Sequence, residues 1–227
     1  MIHHPETTMT SLALIGAGGK MGCRIVDHLQ ANPAYSLRCL ETGERGLALL
    51  AARGLQPMDP AVALPDADVV VLAVPDRLLG RVAHDTVPRL KPGALVITLD
   101  PAAAHAGEFP ARPDISYFVT HPCHPSVFDH EEDPAARADF FGGTRARMPI
   151  VCALMQGPEA HYALGEQLAR DFFAPVTRSH QMKYDWGRSA NSSQKLHTVS
   201  SGVTPSLSTA GWPHSCSRMR ISSAIGG

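Results

Sequence analysis

Three groups of residues in this chain have the types and spacing to do chemistry. The first is Leu12–Gly22, LALIGAGGKMG, an apolar run that ends in glycines and continues into residues able to open a helix. Gly16, Gly19 and Gly22 form GxxGxxG, and Gly16 with Gly18 begins a GxG. Glycines leave out side chains where backbone must approach a pyrophosphate, and a helix start adds N–H groups and a positive dipole end. Gly16, Ala17, Gly18, Gly19, Lys20, Met21 and Gly22 are therefore the candidate phosphate-binding turn. The second is Glu41, closing the next apolar segment about 20–25 residues on, the place of the carboxylate in a dinucleotide fingerprint. It can accept hydrogen bonds from both ribose hydroxyls of an adenosine and repels a 2′-phosphate, which favours NAD over NADP as cofactor. Arg45 pulls the other way, because a guanidinium can hold that phosphate.

The third is His121-Pro122-Cys123-His124-Pro125. His121 and His124 are candidate acid–base groups in a loop stiffened by its prolines, and His121 is also the candidate metal ligand. No C-x-x-C or H-E-x-x-H spacing supports a zinc site. Solvated histidines in a structural loop are the alternative.

These residues need elements to hold them. Strands are expected at Ser11–Ile15, Tyr35–Leu40, Leu55–Met58, Asp68–Val74, Ala94–Leu99, Ile115–Thr120, Pro149–Met155 and Ala174–Arg178. Helices are expected at Gly19–Ala31, Arg45–Arg53, Arg77–Leu90 and Pro158–Phe173, with a helical turn at Ala61–Leu64. The run DVVVLAV at Asp68–Val74 has no polar alternation, which marks a parallel strand buried on both faces. Val74 and Asp76, at its carboxyl end, are candidate cofactor contacts. Strands alternating with helices give an α/β fold, a doubly wound parallel sheet of the Rossmann type.

Composition sets the bounds. The 227 residues suffice for one substantial core, and a net charge of −1 offers no basic surface for nucleic acid. No apolar run approaches the roughly 20 residues of a membrane span. Five scattered cysteines suit a reduced, cytoplasmic protein. Residues 1–10 read as a leader and 11–180 as a dinucleotide-binding domain. Residues 181–227 read as a disordered tail, roughly a quarter serine from Gly187 onward.

IGAGGKMG, DVVVLAVPD, THPCHPSVF, FFGG, IVCALMQGPE and FAPV together resemble the D-apionate oxidoisomerase family over about Met9–Arg178. That family is related in its cofactor domain to phosphogluconate-dehydrogenase-like and ketol-acid-reductoisomerase-like oxidoreductases. The resemblance implies NAD-dependent conversion of a branched sugar acid, D-apionate, to 3-oxoisoapionate. Oxidation of the secondary hydroxyl beside the carboxylate would be followed by a 1,2-shift onto the new carbonyl. A divalent metal, zinc, magnesium or manganese, with His121 as a ligand, would polarise the two oxygens involved.

The resemblance also implies a small-molecule sugar-acid substrate, no nucleic-acid or membrane partner, and a homodimer for full-length members. Family members continue into a helical substrate and dimerisation domain, which residues 181–227 do not match. A truncation or frame change near His180 is the expectation. A plain hydroxy-acid or semialdehyde dehydrogenase, and a non-catalytic NAD-binding remnant, are the competing readings.

Overall fold

A computed structural model of the chain describes residues 9–123, 132–139 and 146–183, with the backbone of 197–198. The strands are β1 (Thr10–Ile15), β2 (Tyr35–Leu40), β3 (Val69–Leu72), β4 (Leu95–Thr98), β5 (Ser116–Pro122), β6 (Met148–Gln156), β7 (Val176–Lys183) and β8 (His197–Thr198). The helices are α1 (Lys20–Leu29), α2 (Glu44–Ala51), α3 (Pro60–Ala63), α4 (Asp76–Thr86), α5 (Ala102–His105), α6 (Pro134–Ala138) and α7 (Glu159–Phe172). The sheet runs β2-β1-β3-β4-β5-β6-β7-β8. It is parallel from β2 through β5, antiparallel between β5 and β6, and parallel again between β6 and β7. The doubly wound α/β sheet expected from the sequence is present, with β6 returning antiparallel.

Strand order reverses between β1 and β3, because the chain moves outward to β2 and then crosses back. The crevice at the carboxyl ends of β1 and β3 is where such sheets bind ligands. Successive side chains on a strand face opposite sides, and the core divides accordingly. Leu12, Leu14, Val69, Val71, Leu95 and Ile97 meet Ile25 and Leu29 of α1 and Leu168 and Phe172 of α7 on one face. Ala13, Val70, Leu72 and Val96 meet Leu79 and Ala83 of α4 and Ala103 and Ala104 of α5 on the other. All four residues of β3 are buried, as its unbroken apolar run requires.

Four local readings change. Leu55–Met58 is not a strand. Pro57 has no N–H, and this stretch gives β2 one backbone bond, from Met58 N–H to Cys39 O, so β2 stays at the edge. The helix expected over Arg77–Leu90 stops at Thr86 and tightens into a 3₁₀ turn, Val87–Arg89, around Pro88. β5 runs on through His121 and Pro122, which pair with Val151 and Ile150 of β6, so the first two residues of the histidine loop are sheet. β7 extends to Lys183, past the expected end at Arg178 and past the expected domain boundary at 180. The short helices α5 and α6 lie in stretches where no element was expected.

From the segment expected to be a disordered tail, His197–Thr198 pairs antiparallel with Met182 and Lys183. The remainder of that expectation, the leader up to Thr8, His124-Pro125 and Phe140–Gly143 lie outside the described residues.

Candidate functional site

β1 leads directly into the glycine turn. Gly16 has φ +77°, and a Cβ there would lie 2.6 Å from Ala73 O at the exit of β3. Only glycine takes this conformation and this approach together, so Gly16 brings the ends of β1 and β3 into contact. A Cβ on Gly22 would lie 2.1 Å from Gly16 O, so Gly22 lets α1 press against the turn. Gly19, extended, precedes the helix, and the first intrahelical bond is Cys23 N–H to Gly19 O at 2.8 Å. The N–H groups of the opening turn, around Lys20, Met21 and Gly22, therefore have no acceptor within α1. Ala17 is buried with its N–H on Leu40 O, Met21 packs against the core, and Lys20 is exposed. A glycine turn this tightly packed, leading straight into the positive end of a helix, fits a dinucleotide pyrophosphate.

Glu41, leaving β2, joins this turn. Its Oε2 accepts from Gly18 N–H at 2.9 Å, and its Oε1 accepts from Thr42 N–H and Gly43 N–H, both at 2.8 Å. Three backbone donors fix the carboxylate at the rim of the glycine turn, the place a dinucleotide fingerprint gives to its ribose-binding acid. Arg45 is exposed, the second residue of α2.

The other side of the crevice holds the second cluster. Val74 is half-buried beside Gly16, its Cγ1 3.1 Å from where a Gly16 Cβ would sit. Asp76 is the first residue of α4. Its carboxyl is pushed above the usual carboxylate range by desolvation and by Asp100, with His121 opposing. His121 is exposed on β5, and its Nδ1 lies 2.8 Å from Leu99 O at the end of β4. A carbonyl only accepts, so Nδ1 carries the proton and Nε2 is the nitrogen left to exchange one.

Asp76, Asp100 and His121 follow or end β3, β4 and β5, near enough for Asp100 and His121 to bias the Asp76 carboxyl. Asp100 was missed by sequence reasoning; its place directly after an apolar strand was the signal. Cys123 N–H bonds Pro149 O at 2.9 Å, which holds the strand exit beyond His121 against β6.

Among the described residues no three His, Cys, Asp or Glu side chains converge closely enough to hold a metal ion. His124 is not among them. Cys23, Cys39 and Cys152 are buried thiols, and burial raises each, Cys39 to about 11. Such thiols are inert core groups rather than nucleophiles. No helix among the described residues is long and apolar enough to cross a membrane.

The scaffold behind the turn is pinned by charge as well as packing. Buried Arg24 of α1 donates from Nη2 to Phe173 O at 2.7 Å and lies over the Phe173 ring, 5.5 Å from its centre. Tyr35 at the start of β2 donates to Asp171 of α7. The first contact holds α1, and with it the glycine turn, against the end of α7, and the second ties β2 to the same helix.

Known proteins resemble this chain in sequence and in fold. The D-apionate oxidoisomerase of Cupriavidus necator is 47% identical over 175 residues, covering 77% of this chain and 63% of its own length. That of Rhizobium rhizogenes is 49% identical over 177 residues, with the same coverage. A crystal structure of a semialdehyde dehydrogenase NAD-binding protein from Cupriavidus necator, in complex with calcium and NAD, superposes with a TM-score of 0.70. It shares 47% identity over 76% of this chain and 62% of that one. A family model described as phosphogluconate dehydrogenase (decarboxylating) C-term matches residues 129–185. The chain spans about three fifths of the length of the curated relatives it matches. Over about three quarters of its own length, this chain is a relative of the D-apionate oxidoisomerases, carrying their sequence pattern on a Rossmann-type sheet.

Proposed function

We propose that this chain carries the cofactor half of an NAD-dependent oxidoisomerase that converts D-apionate to 3-oxoisoapionate. The observation that carries the reading is the pairing of a glycine turn with Glu41 on Gly18 at one side, and exposed His121, its Nδ1 on Leu99 O, at the other. In this reading Gly16, Ala17, Gly18, Gly19, Lys20, Met21 and Gly22 seat the pyrophosphate. Glu41 accepts the ribose hydroxyls, and Val74 and Asp76 line the nicotinamide side. When bound, NAD supplies the hydride acceptor for the secondary alcohol of the substrate. His121 accepts the hydroxyl proton at Nε2, its ring held by the Nδ1 bond to Leu99 O. His124, three residues on in sequence, is proposed as a second acid–base group.

A divalent metal with His121 as a ligand would polarise the two oxygens of the 1,2-shift, and among the described residues no group of three His, Cys, Asp or Glu stands ready to hold it. The calcium belongs to the Cupriavidus necator structure. Residues 11–180 are proposed as the dinucleotide-binding unit. The substrate-closing wall, and the dimer implied for full-length relatives, are assigned to the part of those relatives this chain does not match. A cytoplasmic location follows from the same reading and its buried thiols.

The test is NADH formation from D-apionate, with and without Mg²⁺, Mn²⁺ or Zn²⁺. It is run on this chain and on a version extended with the unmatched segment of a relative. NADH with a rearranged carbon skeleton by NMR supports the proposal. An unrearranged skeleton leaves a plain dehydrogenase, and NAD binding without turnover in either version leaves a binding module.

A further inference from the structure

α2 meets the glycine turn backbone to backbone. A Cβ on Gly18 would lie 2.3 Å from Gly46 Cα and 2.4 Å from Gly46 O. A Cβ on Gly46 would lie 2.4 Å from Glu41 Cδ, 2.6 Å from its Oε2 and 2.7 Å from its Cγ. Gly46 is the third residue of α2, buried and without positive φ, so its backbone conformation is open to any residue. Glycine there is less favourable for the helix than alanine, so the fold gains something else from it. The space that its side chain would take is filled by the Glu41 carboxylate.

We propose that Gly46 is a positioning residue for cofactor specificity, whose missing side chain holds Glu41 against Gly18 and so sets the preference for a free ribose 2′-hydroxyl over a 2′-phosphate. The proposal rests on the reading of Glu41 as the ribose acceptor. The physical sequence is short. A methyl at residue 46 collides with the carboxylate, and α2 cannot retreat along its contact with Gly18 without giving up that contact. Glu41, the flexible partner, moves and releases the Gly18 N–H. A displaced carboxylate neither accepts from the ribose diol nor repels a phosphate at the same place, and Arg45 then faces the cofactor with less opposition.

The test is a double-mutant cycle on the full chain, with NAD⁺ and NADP⁺ affinities measured by calorimetric titration for wild type, Gly46→Ala, Glu41→Ala and the double variant. Gly46→Ala is expected to weaken NAD⁺ about tenfold and to lower the NAD⁺/NADP⁺ preference by about the same factor. Glu41→Ala is expected to lower it at least as far, and the double variant to match Glu41→Ala. An unchanged preference in Gly46→Ala, with a collapsed one in Glu41→Ala, overturns the role of Gly46 and leaves the Glu41 reading intact. An unchanged preference in Glu41→Ala overturns both.

A further loss when Gly46→Ala is added to Glu41→Ala shows that Gly46 acts on the fold and overturns the proposal. If Gly46→Ala fails to fold, the double variant decides, because it lacks the colliding carboxylate. Folding with the preference of Glu41→Ala supports the proposal, and failure to fold overturns it.

Discussion

Glu41 Oε2 and the Gly18 N–H lie 2.9 Å apart, and this bond joins the carboxyl end of β2 to the phosphate turn that leaves β1. The two residues are 23 positions apart in sequence. They meet because β1 and β2 pair in parallel register, Ile15 beside Leu40, so that both strands release their next residues at the same edge.

Removing the carboxylate is expected to cost cofactor affinity. Glu41→Gln keeps the shape and loses the charge-assisted bonds, each worth about 1.5–3 kcal/mol. NAD⁺ affinity should fall roughly 10- to 100-fold in calorimetric titration. Affinity for NADP⁺ should fall less or rise, and an unaltered NAD⁺ affinity would remove Glu41 from the site.

His121 is expected to act on turnover rather than on cofactor binding. His121→Ala should lower the rate of NADH formation by about 10²- to 10⁴-fold, the usual worth of a positioned acid–base group. NAD⁺ affinity should stay within about threefold of the parent, because the proposed role of His121 is proton transfer with substrate and not contact with the adenosine half. The comparison requires whichever version of the chain shows turnover, and a similar loss in both quantities would mean that His121 supports the crevice instead.

Gly22→Ala tests the seat of α1. The added methyl meets Gly16 O at 2.1 Å, and backbone cannot yield as a side chain does. Overpacking of this kind costs about 1–3 kcal/mol or more. For a chain of this size that lowers Tm by roughly 3–10 °C, with NAD⁺ binding weakened as the turn shifts. Calorimetric melting and titration of the same sample check both.

Arg24 tests the contact of α1 with α7. Its guanidinium is held below the usual arginine range by burial, with Asp139 opposing. Arg24→Ala removes the bond to Phe173 O and the stacking on the Phe173 ring together, an expected loss of about 2–4 kcal/mol in denaturant unfolding. Arg24→Lys should recover only part of it, since an ammonium cannot reproduce the planar stack.

Asp76 gives a pH dependence with a definite sign. Its pKa is raised in the folded state by desolvation, then Asp100, against the opposing His121. The folded chain therefore binds this proton more tightly than the unfolded chain, and stability falls as pH rises through the carboxylate range above about pH 4. Asp76→Asn should raise Tm at pH 7, with the gain disappearing at about pH 3, where the parent carboxyl is protonated in both states. A gain of the same size at both pH values would assign the effect to something other than charge.

Local pattern was enough for the elements that begin and centre the sheet. Tyr35–Leu40 falls where its alternation and the Asn32-Pro33 break put it, and the valine run of β3 is buried on both faces. Such readings succeed because periodicity and prolines act within a few residues. The same short range placed the glycine turn after β1 and Glu41 after β2, which the structure joins through the Gly18 N–H.

What sequence alone determined here is the chemistry of the turn: glycines where backbone must come close, and a carboxylate one strand later. Tertiary structure decided who shares that crevice. Leu55–Met58 has strand-like residues but finds little to pair with. His121 becomes sheet because β6 returns antiparallel beside β5, and its tautomer is fixed by the Leu99 carbonyl at the end of a neighbouring strand. Asp100 comes near Asp76 only through the order of β3 and β4. Gly46 is an unremarkable glycine in sequence, and its missing side chain matters because α2 packs against Gly18. Strand order, register and helix docking are set by burial summed over the whole sheet, so no local pattern contains them.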